Sequence, residues 1–219
     1  MATSILTETQ KKLLTTLGAS DFISKNFYLS GGTALAGFYI PYRYSEDLDF
    51  FSLEEVDTLS LQSFWKGASK KLGITKIDFQ QSFNRNLFFL NIGKDVVKTE
   101  FTYYPFPRIE KSKKEFGLEI DSVLDIATNK LFTIYQQPRT RDYVDLYMIC
   151  EKYGYSIPDL ILKAKVKFDW HVDPIQLGAQ FLKVTEVKDY PRLIDKINDN
   201  EWQNFFIEEA KKLKSEILE

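Results

Sequence analysis

The chain has very little of the two residue types that build most thiolate, imidazole and redox sites. Its 219 residues include one cysteine, Cys150, and one histidine, His171. A single cysteine excludes an internal disulfide framework and any thiolate metal cluster, so Cys150 is expected to be a small buried hydrophobic residue. A single histidine gives no support to a histidine metal site or to a serine–histidine triad.

The sequence also lacks a long apolar run and a strong net charge. No apolar run approaches the roughly 18 residues that span a membrane, and the start, MATSILTETQKK, is not a secretory signal. We therefore expect a cytoplasmic protein without membrane contact. The net charge of −2 excludes the overall basic character of a dedicated nucleic-acid binder, so any RNA contact has to be a local patch. The candidates are Lys111, Lys113, Lys114, Lys163, Lys165 and Lys167, and the alternative for each is ordinary solvated surface.

The composition is that of a globular protein, with 44% hydrophobic residues, 18 Phe and 12 Tyr. The first half shows helix and strand patterns and then three extended runs, 74–82, 85–92 and 96–103, whose close spacing predicts an antiparallel meander. The second half shows helical periodicity, and Asp121 can cap its first helix. We predict an α/β core over residues 1–120 and a helical region over 121–219 packed on it.

One stretch, from Tyr28 to Ser52, predicts an anion site. Tyr28 and Leu29 favour a strand, Gly31 and Gly32 a tight turn, and residues 33–39 a short helix. A helix N-terminus beside a glycine turn offers backbone N–H groups and the positive end of the helix dipole, which suit a phosphate. The alternative is a purely structural turn.

Two acids follow this turn, in Asp47-Leu48-Asp49-Phe50. Residues two apart in a strand share a face, so Asp47 and Asp49 point one way, with Cα atoms roughly 6 to 7 Å apart, while Leu48 and Phe50 point into the core. Paired carboxylates beside a phosphate site indicate bound Mg²⁺. The alternative is a solvated acidic strand end.

Gly31-Gly32-Thr33 and then Arg43-Tyr44-Ser45-Glu46-Asp47-Leu48-Asp49, with 14 positions from Thr33 to Asp47, resemble a known family. It is the AbiEii/AbiGii-type toxins of the DNA polymerase β nucleotidyltransferase superfamily. The resemblance implies an α+β fold, with a polymerase β-like mixed sheet and a helical C-terminal half. It further implies a nucleotidyltransferase that moves a nucleotide from an NTP to an RNA such as tRNA, as a toxin with a cognate antitoxin.

The resemblance also implies the nucleotide-binding residues. Ser30, Gly31, Gly32 and Thr33 would hold the nucleotide phosphates through backbone N–H groups and the Thr33 hydroxyl. Thr33 could instead be only a helix cap. Arg43 would meet the nucleotide or simply pair with Glu46.

A two-metal Mg²⁺ site is implied as well, with Asp47 and Asp49 as its first ligands. Superfamily members usually add a third acid from a neighbouring strand, and Glu100 is the candidate. If Val97 and Phe101 face the core, Glu100 faces away from it and joins the two aspartates. The alternative is a surface ion pair between Glu100 and Lys98 or a cross-strand lysine.

A second resemblance lies in the helical half, in Lys130 and the run Arg141-Asp142-Tyr143-Val144-Asp145-Leu146. Family members carry a similar lysine and an RDxxD run, which implies catalytic roles for Lys130, Asp142 and Asp145. Lys130 would neutralise triphosphate charge, and the two acids share a helix face. The alternatives are a solvated lysine, and acids that pair with Arg139 or Arg141 at a helix N-terminus.

Two other functions stay open at this point. An antibiotic-type nucleotidyltransferase would use the same site on a small-molecule acceptor. A catalytically idle nucleotide- or partner-binding module belongs to a different class, although a pure binder would not need two acids beside a phosphate.

Overall fold

The computed structural model describes residues 5–194 and 196–217. Its chain forms two compact units. The first contains the residues up to 107 together with 111–122, and the second contains 108–110 and the residues from 123 onward. The chain therefore passes from the first unit to the second, returns, and leaves again. The domain boundary expected between residues 120 and 121 stays a prediction.

The first unit is organised around a seven-stranded mixed sheet. The elements of this unit are α1 Glu8–Gly18, α2 Asp21–Asn26, β1 Tyr28–Ser30, α3 Gly31–Phe38, β2 Leu48–Ser52, α4 Thr58–Leu72, β3 Ile74–Ser82, β4 Arg85–Ile92, β5 Asp95–Tyr103, β6 Lys113–Glu115 and β7 Leu118–Ile120. The strand order is β3-β4-β5-β2-β1-β7-β6. The antiparallel pairs β3–β4 and β4–β5 confirm the predicted meander, and β2 lies between β5, its parallel neighbour, and β1, its antiparallel neighbour.

An aromatic cluster on the inner face of the sheet fixes the position of β2 and β5. The rings of Phe50 and Phe101 stack with centroids 5.0 Å apart, and Phe27, Trp65 and Phe88 surround Phe101. Phe50 and Phe101 are fully buried. Because side chains alternate along a strand, burial of these rings turns Asp49 and Glu100 to the other face, as the sequence predicted.

The structure differs from the sequence predictions at the start of α1 and at strand β6. The sequence pattern predicts a helix over residues 4–17 with a capping box of Thr7 and Gln10. Its expected start, Ser4, lies outside the described residues, and α1 begins at Glu8, where Thr7 and Gln10 do form that capping box. The basic run Lys111-Ser112-Lys113-Lys114 predicts a short loop, but Lys113 and Lys114 pair with β7 and form part of strand β6. The Lys113 Nζ atom also donates to the carbonyl of Phe38, so this lysine is engaged within the unit.

The second unit is helical, as predicted. A buried ion pair joins Lys167 to Asp125, with 2.6 Å between Nζ and Oδ1 and no side-chain exposure on either residue. Asp125 also accepts hydrogen bonds from the backbone N–H groups of Ile109 and Glu110, which fixes segment 108–110 in this unit. Lys167 is therefore not the surface lysine that the RNA patch required, because helical spacing places it on the buried face of its helix with Ala164 and Phe168. The helices are α5 Val123–Gln136, α6 Thr140–Tyr153, α7 Ile157–Phe168, α8 Pro174–Leu182 and α9 Asp199–Ile217, with a 3-10 turn over Lys183–Thr185.

The described residues, 5–194 and 196–217, contain no candidate for a membrane-spanning helix. None of the helices there combines the length and the apolar character that crossing a bilayer requires.

The aromatic cluster gives a test of the fold. We expect Phe101→Ala to lower the free energy of unfolding by about 3 to 5 kcal/mol, because it leaves a cavity among buried rings. Phe83→Ala is the matched control, since Phe83 is 94% exposed at the β3–β4 turn, and it should change stability by less than about 0.5 kcal/mol. Urea denaturation followed by tryptophan fluorescence measures both values, and equal effects would contradict the packing described here.

Candidate active site

A glycine turn links β1 to α3, and its two glycines are required by close neighbours. Gly31 has a φ of 71°, and a Cβ atom there would lie 2.7 Å from the Asp49 Oδ2 atom. A Cβ atom on Gly32 would lie 2.2 Å from Nη2 of Arg43. A larger residue at either position would push away an acid or a guanidinium, so the glycines allow both groups to lie against the N-terminus of α3.

The two hydroxyl groups of the turn are buried and engaged. The Ser30 hydroxyl donates to the Asp121 carboxylate at 2.7 Å. The Thr33 hydroxyl contacts the Ser45 hydroxyl at 2.8 Å and donates to the backbone carbonyl of Asp47. Thr33 therefore connects α3 to the loop before β2 and fixes the backbone of the first acid, a role that neither sequence alternative had included.

Arg43 is buried beneath the turn. Its guanidinium donates to the Tyr42 hydroxyl at 3.2 Å and to the Tyr44 carbonyl at 3.0 Å. A cation so close to Gly32 adds positive potential to the N-terminus of α3. The nucleotide contact and the pairing with Glu46 both stay predictions.

The two predicted metal ligands lie half-buried on the outer face of β2 and the loop before it. Asp49 is the register partner of Ser30 on one side and of Glu100 on the other. The Lys98 Nζ atom lies 3.0 Å from Asp47 Oδ2 and 3.4 Å from Glu100 Oε2. Burial by itself lowers the pKa of Lys98, but the neighbouring Asp47 outweighs it and holds that pKa above its ordinary value. A lysine ammonium thus provides positive charge among these acids.

Glu100 has cationic partners of its own. Arg85 on β4 meets its two carboxylate oxygens at 2.5 and 2.7 Å, and Thr102 donates to it at 3.0 Å. Burial works to raise the pKa of Glu100, but the hydrogen bond and charge of Arg85 outweigh it and hold that pKa below its usual range. The sequence did not single out Arg85, whose only signal was its place near Glu100 in the predicted meander.

The carboxylates on this face suit an Mg²⁺ ion whose remaining ligands come from the substrate. Among the residues that the structure describes, no group of three or more His, Cys, Asp or Glu side chains converges in metal-binding geometry. Mg²⁺ is commonly held by one or two carboxylates together with substrate phosphates and water. Asp47 and Asp49 fit that pattern, and Glu100 would join them only by exchanging its cationic partners.

The second unit contains a buried cluster built from the other predicted site residues. The Lys130 Nζ atom lies 2.7 Å from Asp142 Oδ1 and 2.7 Å from Asp145 Oδ2, and Arg139 Nε lies 3.1 Å from Asp142 Oδ2. Asp142 and Asp145 have no exposed side-chain surface. Burial raises the pKa of Asp142, but the charges of Lys130 and Arg139 outweigh it, so this pKa stays below its ordinary value. Lys130 is therefore an ion-paired buried cation and not a solvated surface lysine.

A mixed sheet with one acid on β2 and one just before it, next to a strand that ends in a glycine turn and helix, agrees with the arrangement that the resemblance to nucleotidyltransferases implied. One similar solved structure is JHP933 from Helicobacter pylori, with a TM-score of 0.62 and 20% identity over 95% of this chain and 90% of JHP933. A second H. pylori structure gives a TM-score of 0.61 and 21% identity over 98% of this chain and 99% of its own. These likenesses establish the polymerase β-like α+β fold that the sequence predicted.

The family follows from the sequence comparison. The model of the family described as "Nucleotidyl transferase AbiEii toxin, Type IV TA system" matches residues 12–215. The chain belongs to this family, which confirms the predicted resemblance and the nucleotidyltransferase activity class. The uncharacterized protein aq_aa25 of Aquifex aeolicus is 30% identical over 151 residues, which are 67% of this chain and 68% of that protein.

The buried cluster around Lys130 predicts a stability effect. Asp142→Asn should cost about 3 kcal/mol at pH 7, the low end of the range for breaking a buried ion pair, because Asp145 still compensates Lys130. Asp78→Asn is the control, since Asp78 pairs with Lys76 at the surface and should contribute less than about 1 kcal/mol.

The same cluster predicts a pH dependence. The folded-state pKa of Asp142 lies below the ordinary value of about 3.9, so its stabilising effect is complete above that value and is lost as the pH falls through the folded-state pKa. Thermal unfolding between pH 7 and 2 should therefore show a smaller loss of stability below about pH 4 in Asp142→Asn than in the wild type. Parallel curves would contradict the pairing.

Proposed function

We propose that this protein transfers a nucleotide from an NTP to an RNA acceptor such as tRNA, with Mg²⁺, as the toxin of a toxin–antitoxin pair. One observation carries the proposal: the strand that holds Asp49 pairs directly with the strand that ends at the glycine turn. A carboxylate is thereby brought to the N-terminus of α3, and this arrangement suits a nucleotide phosphate that shares a metal ion with the protein.

The phosphates would bind at the start of α3. The backbone N–H groups of Gly31, Gly32 and Thr33 belong to the first turn of this helix, where the helix dipole favours an anion. Ser30 contributes through the backbone of the turn, and the buried Arg43 adds positive charge behind it. We assign the phosphate contacts to backbone groups because the Ser30 hydroxyl is bonded to Asp121 and the Thr33 hydroxyl contacts Ser45.

Asp47 and Asp49 would hold the metal. Bound Mg²⁺ supplies activation of the attacking hydroxyl and stabilisation of the leaving pyrophosphate. Around it, Lys98 and Arg85 orient the acids and limit their mutual repulsion. Glu100 as a third ligand, and with it a second Mg²⁺, remains part of the proposal and requires that Glu100 exchange Arg85 and Lys98 for metal.

Lys130, Asp142 and Asp145 are proposed as catalytic residues on the basis of the family pattern. Their mutual distances of 2.7 Å support a common role, because the two acids together hold one ammonium in a fixed place. Lys130 would neutralise charge on the triphosphate, as a compact cation with two anionic supports.

The RNA acceptor and the antitoxin are proposed from family membership, since the family is one of toxin–antitoxin toxins. Exposed residues on α7 and just after it support an RNA contact: Lys163 and Lys165 are exposed, and Trp170, which is 56% exposed, donates its backbone N–H group to the Lys165 carbonyl. Lysines with an exposed aromatic ring suit a phosphate backbone and a stacked base.

Asp49→Asn tests the proposed activity. Incubation of the wild type with Mg²⁺, total RNA and each labelled NTP in turn should label RNA, and Asp49→Asn should reduce this transfer by about 100-fold or more because it removes charge and a ligand at the reacting phosphate. Asp95→Asn, at the exposed start of β5, is the matched control and should transfer normally.

The other outcomes of this assay would support a different function or contradict the proposed metal site. Transfer to a small molecule but not to RNA would favour the antibiotic-type enzyme. NTP binding without any transfer would favour the idle binding module, and normal transfer by Asp49→Asn would contradict the proposed metal site.

A second prediction separates the two roles of Glu100. If it binds metal, Glu100→Gln should raise the Mg²⁺ concentration needed for half-maximal transfer by about tenfold or more. Arg85→Gln is the control, because it removes the partner of Glu100 and leaves the carboxylate in place, so it should not raise that concentration. A loss of stability in Glu100→Gln with an unchanged Mg²⁺ titration would assign Glu100 to the ion pair alone.

A further inference from the structure

Ser30 has the position of a helix cap without performing the function of one. It is the N-cap residue of α3 with an extended backbone, φ −134° and ψ −162°, yet within the described structure its side chain makes no capping hydrogen bond. Serine at this position ordinarily accepts a hydrogen bond from a backbone N–H group of the first turn. Among the helices in the described part of the chain, five other N-cap residues do so: Thr7, Ser20, Asp57, Ser156 and Asp173.

Asp121 is the reason for this difference. Its side-chain oxygen Oδ2 accepts the Ser30 hydroxyl at 2.7 Å, and the side-chain orientation that makes this bond leaves the hydroxyl without a hydrogen bond to the first turn of α3. The hydroxyl of Ser30 therefore points to Asp121, not back to α3.

The backbone around Asp121 holds the carboxylate in place. Its N–H group donates to the Leu29 carbonyl at 2.9 Å, and its own carbonyl accepts the Tyr39 hydroxyl at 2.8 Å. Leu29 also pairs with Ile120, since β1 and β7 are parallel neighbours. Asp121 is fully buried, so the position of its carboxylate beside the glycine turn is set by the sheet itself.

We propose that Asp121 is a positioning residue for nucleotide binding, which draws the Ser30 hydroxyl away from α3 and keeps the amides of the first turn available for a phosphate. This inference rests on the proposed function, because it assumes that the phosphates bind at α3. It gives a role to an acid that lies outside both motifs and that the sequence marked only as the cap of another helix.

The proposal predicts a reversal that a purely structural role does not. In Asp121→Ala the Ser30 hydroxyl is released and can cap α3, so a phosphate has to displace it and binds more weakly. In the double variant Ser30→Ala/Asp121→Ala no hydroxyl is left to compete, and binding should recover. If Asp121 only stabilised the fold, the double variant would bind no better than Asp121→Ala.

The experiment measures binding of inorganic tripolyphosphate with Mg²⁺ to the full chain by isothermal titration calorimetry, because this probe needs no choice of base. We expect about fivefold weaker binding for Asp121→Ala, recovery to within about twofold of the wild type in the double variant, and near-normal binding for Asp121→Asn, whose amide oxygen still accepts from Ser30. Thermal unfolding of each variant confirms that it is folded. If Asp121→Ala does not fold, Asp121→Leu, which keeps the volume and accepts no hydrogen bond, takes its place in both the single and the double variant.

The outcomes distinguish this inference from the function on which it rests. A wild type that binds no tripolyphosphate would overturn the phosphate site itself. A wild type that binds it, with a double variant as weak as the single Asp121 variant, would overturn only the positioning role of Asp121.

Discussion

The hydrogen-bond register of three neighbouring strands is the constraint on which the candidate site depends. Ser30 on β1 is opposite Asp49 on β2, and Asp49 is beside Glu100 on β5. Because side chains alternate with a period of two, a slip of one residue would bury the acids and expose Leu48 and Phe50. The stacked rings of Phe50 and Phe101 prevent such a slip, so the hydrophobic core on one face of the sheet determines the chemistry on the other.

Both units contain a cluster of acids whose charge is compensated by a buried or half-buried lysine. Acids that lie close together in partly desolvated surroundings repel one another, and each cluster here contains its own cation. Lys98 lies between Asp47 and Glu100, and Lys130 lies between Asp142 and Asp145. These cations offset the repulsion between the acids, and the metal site proposed on Asp47 and Asp49 would include Glu100 only if Glu100 exchanged its cationic partners for the ion.

The parts of the site that the sequence predicted are those encoded by local patterns. The glycines and the pair Asp47 and Asp49 are close in sequence, and the strand phase that turns Glu100 outward follows from alternation alone. The ion pair of Glu100 with Lys98 was one of the sequence alternatives, since the two residues are neighbours on one strand face. The other partners of these residues could not be predicted, because they come from distant segments. Ser30 and Asp121 are 91 positions apart, and Lys98 is 51 positions from Asp47. The same limit applies to Lys167, whose pattern indicated surface although Asp125, 42 positions away, holds it in the interior.

A crystal structure with Mn²⁺ and a non-hydrolysable NTP analogue would test most directly whether this register builds a nucleotide site. Anomalous scattering should locate Mn²⁺ about 2.1 Å from carboxylate oxygens of both Asp47 and Asp49, a distance typical of a small hard cation. The triphosphate should share that ion and accept hydrogen bonds from the amides of Gly31 and Gly32. A nucleotide bound away from the glycine turn, or a metal ion bound without the two aspartates, would contradict the proposed nucleotide site.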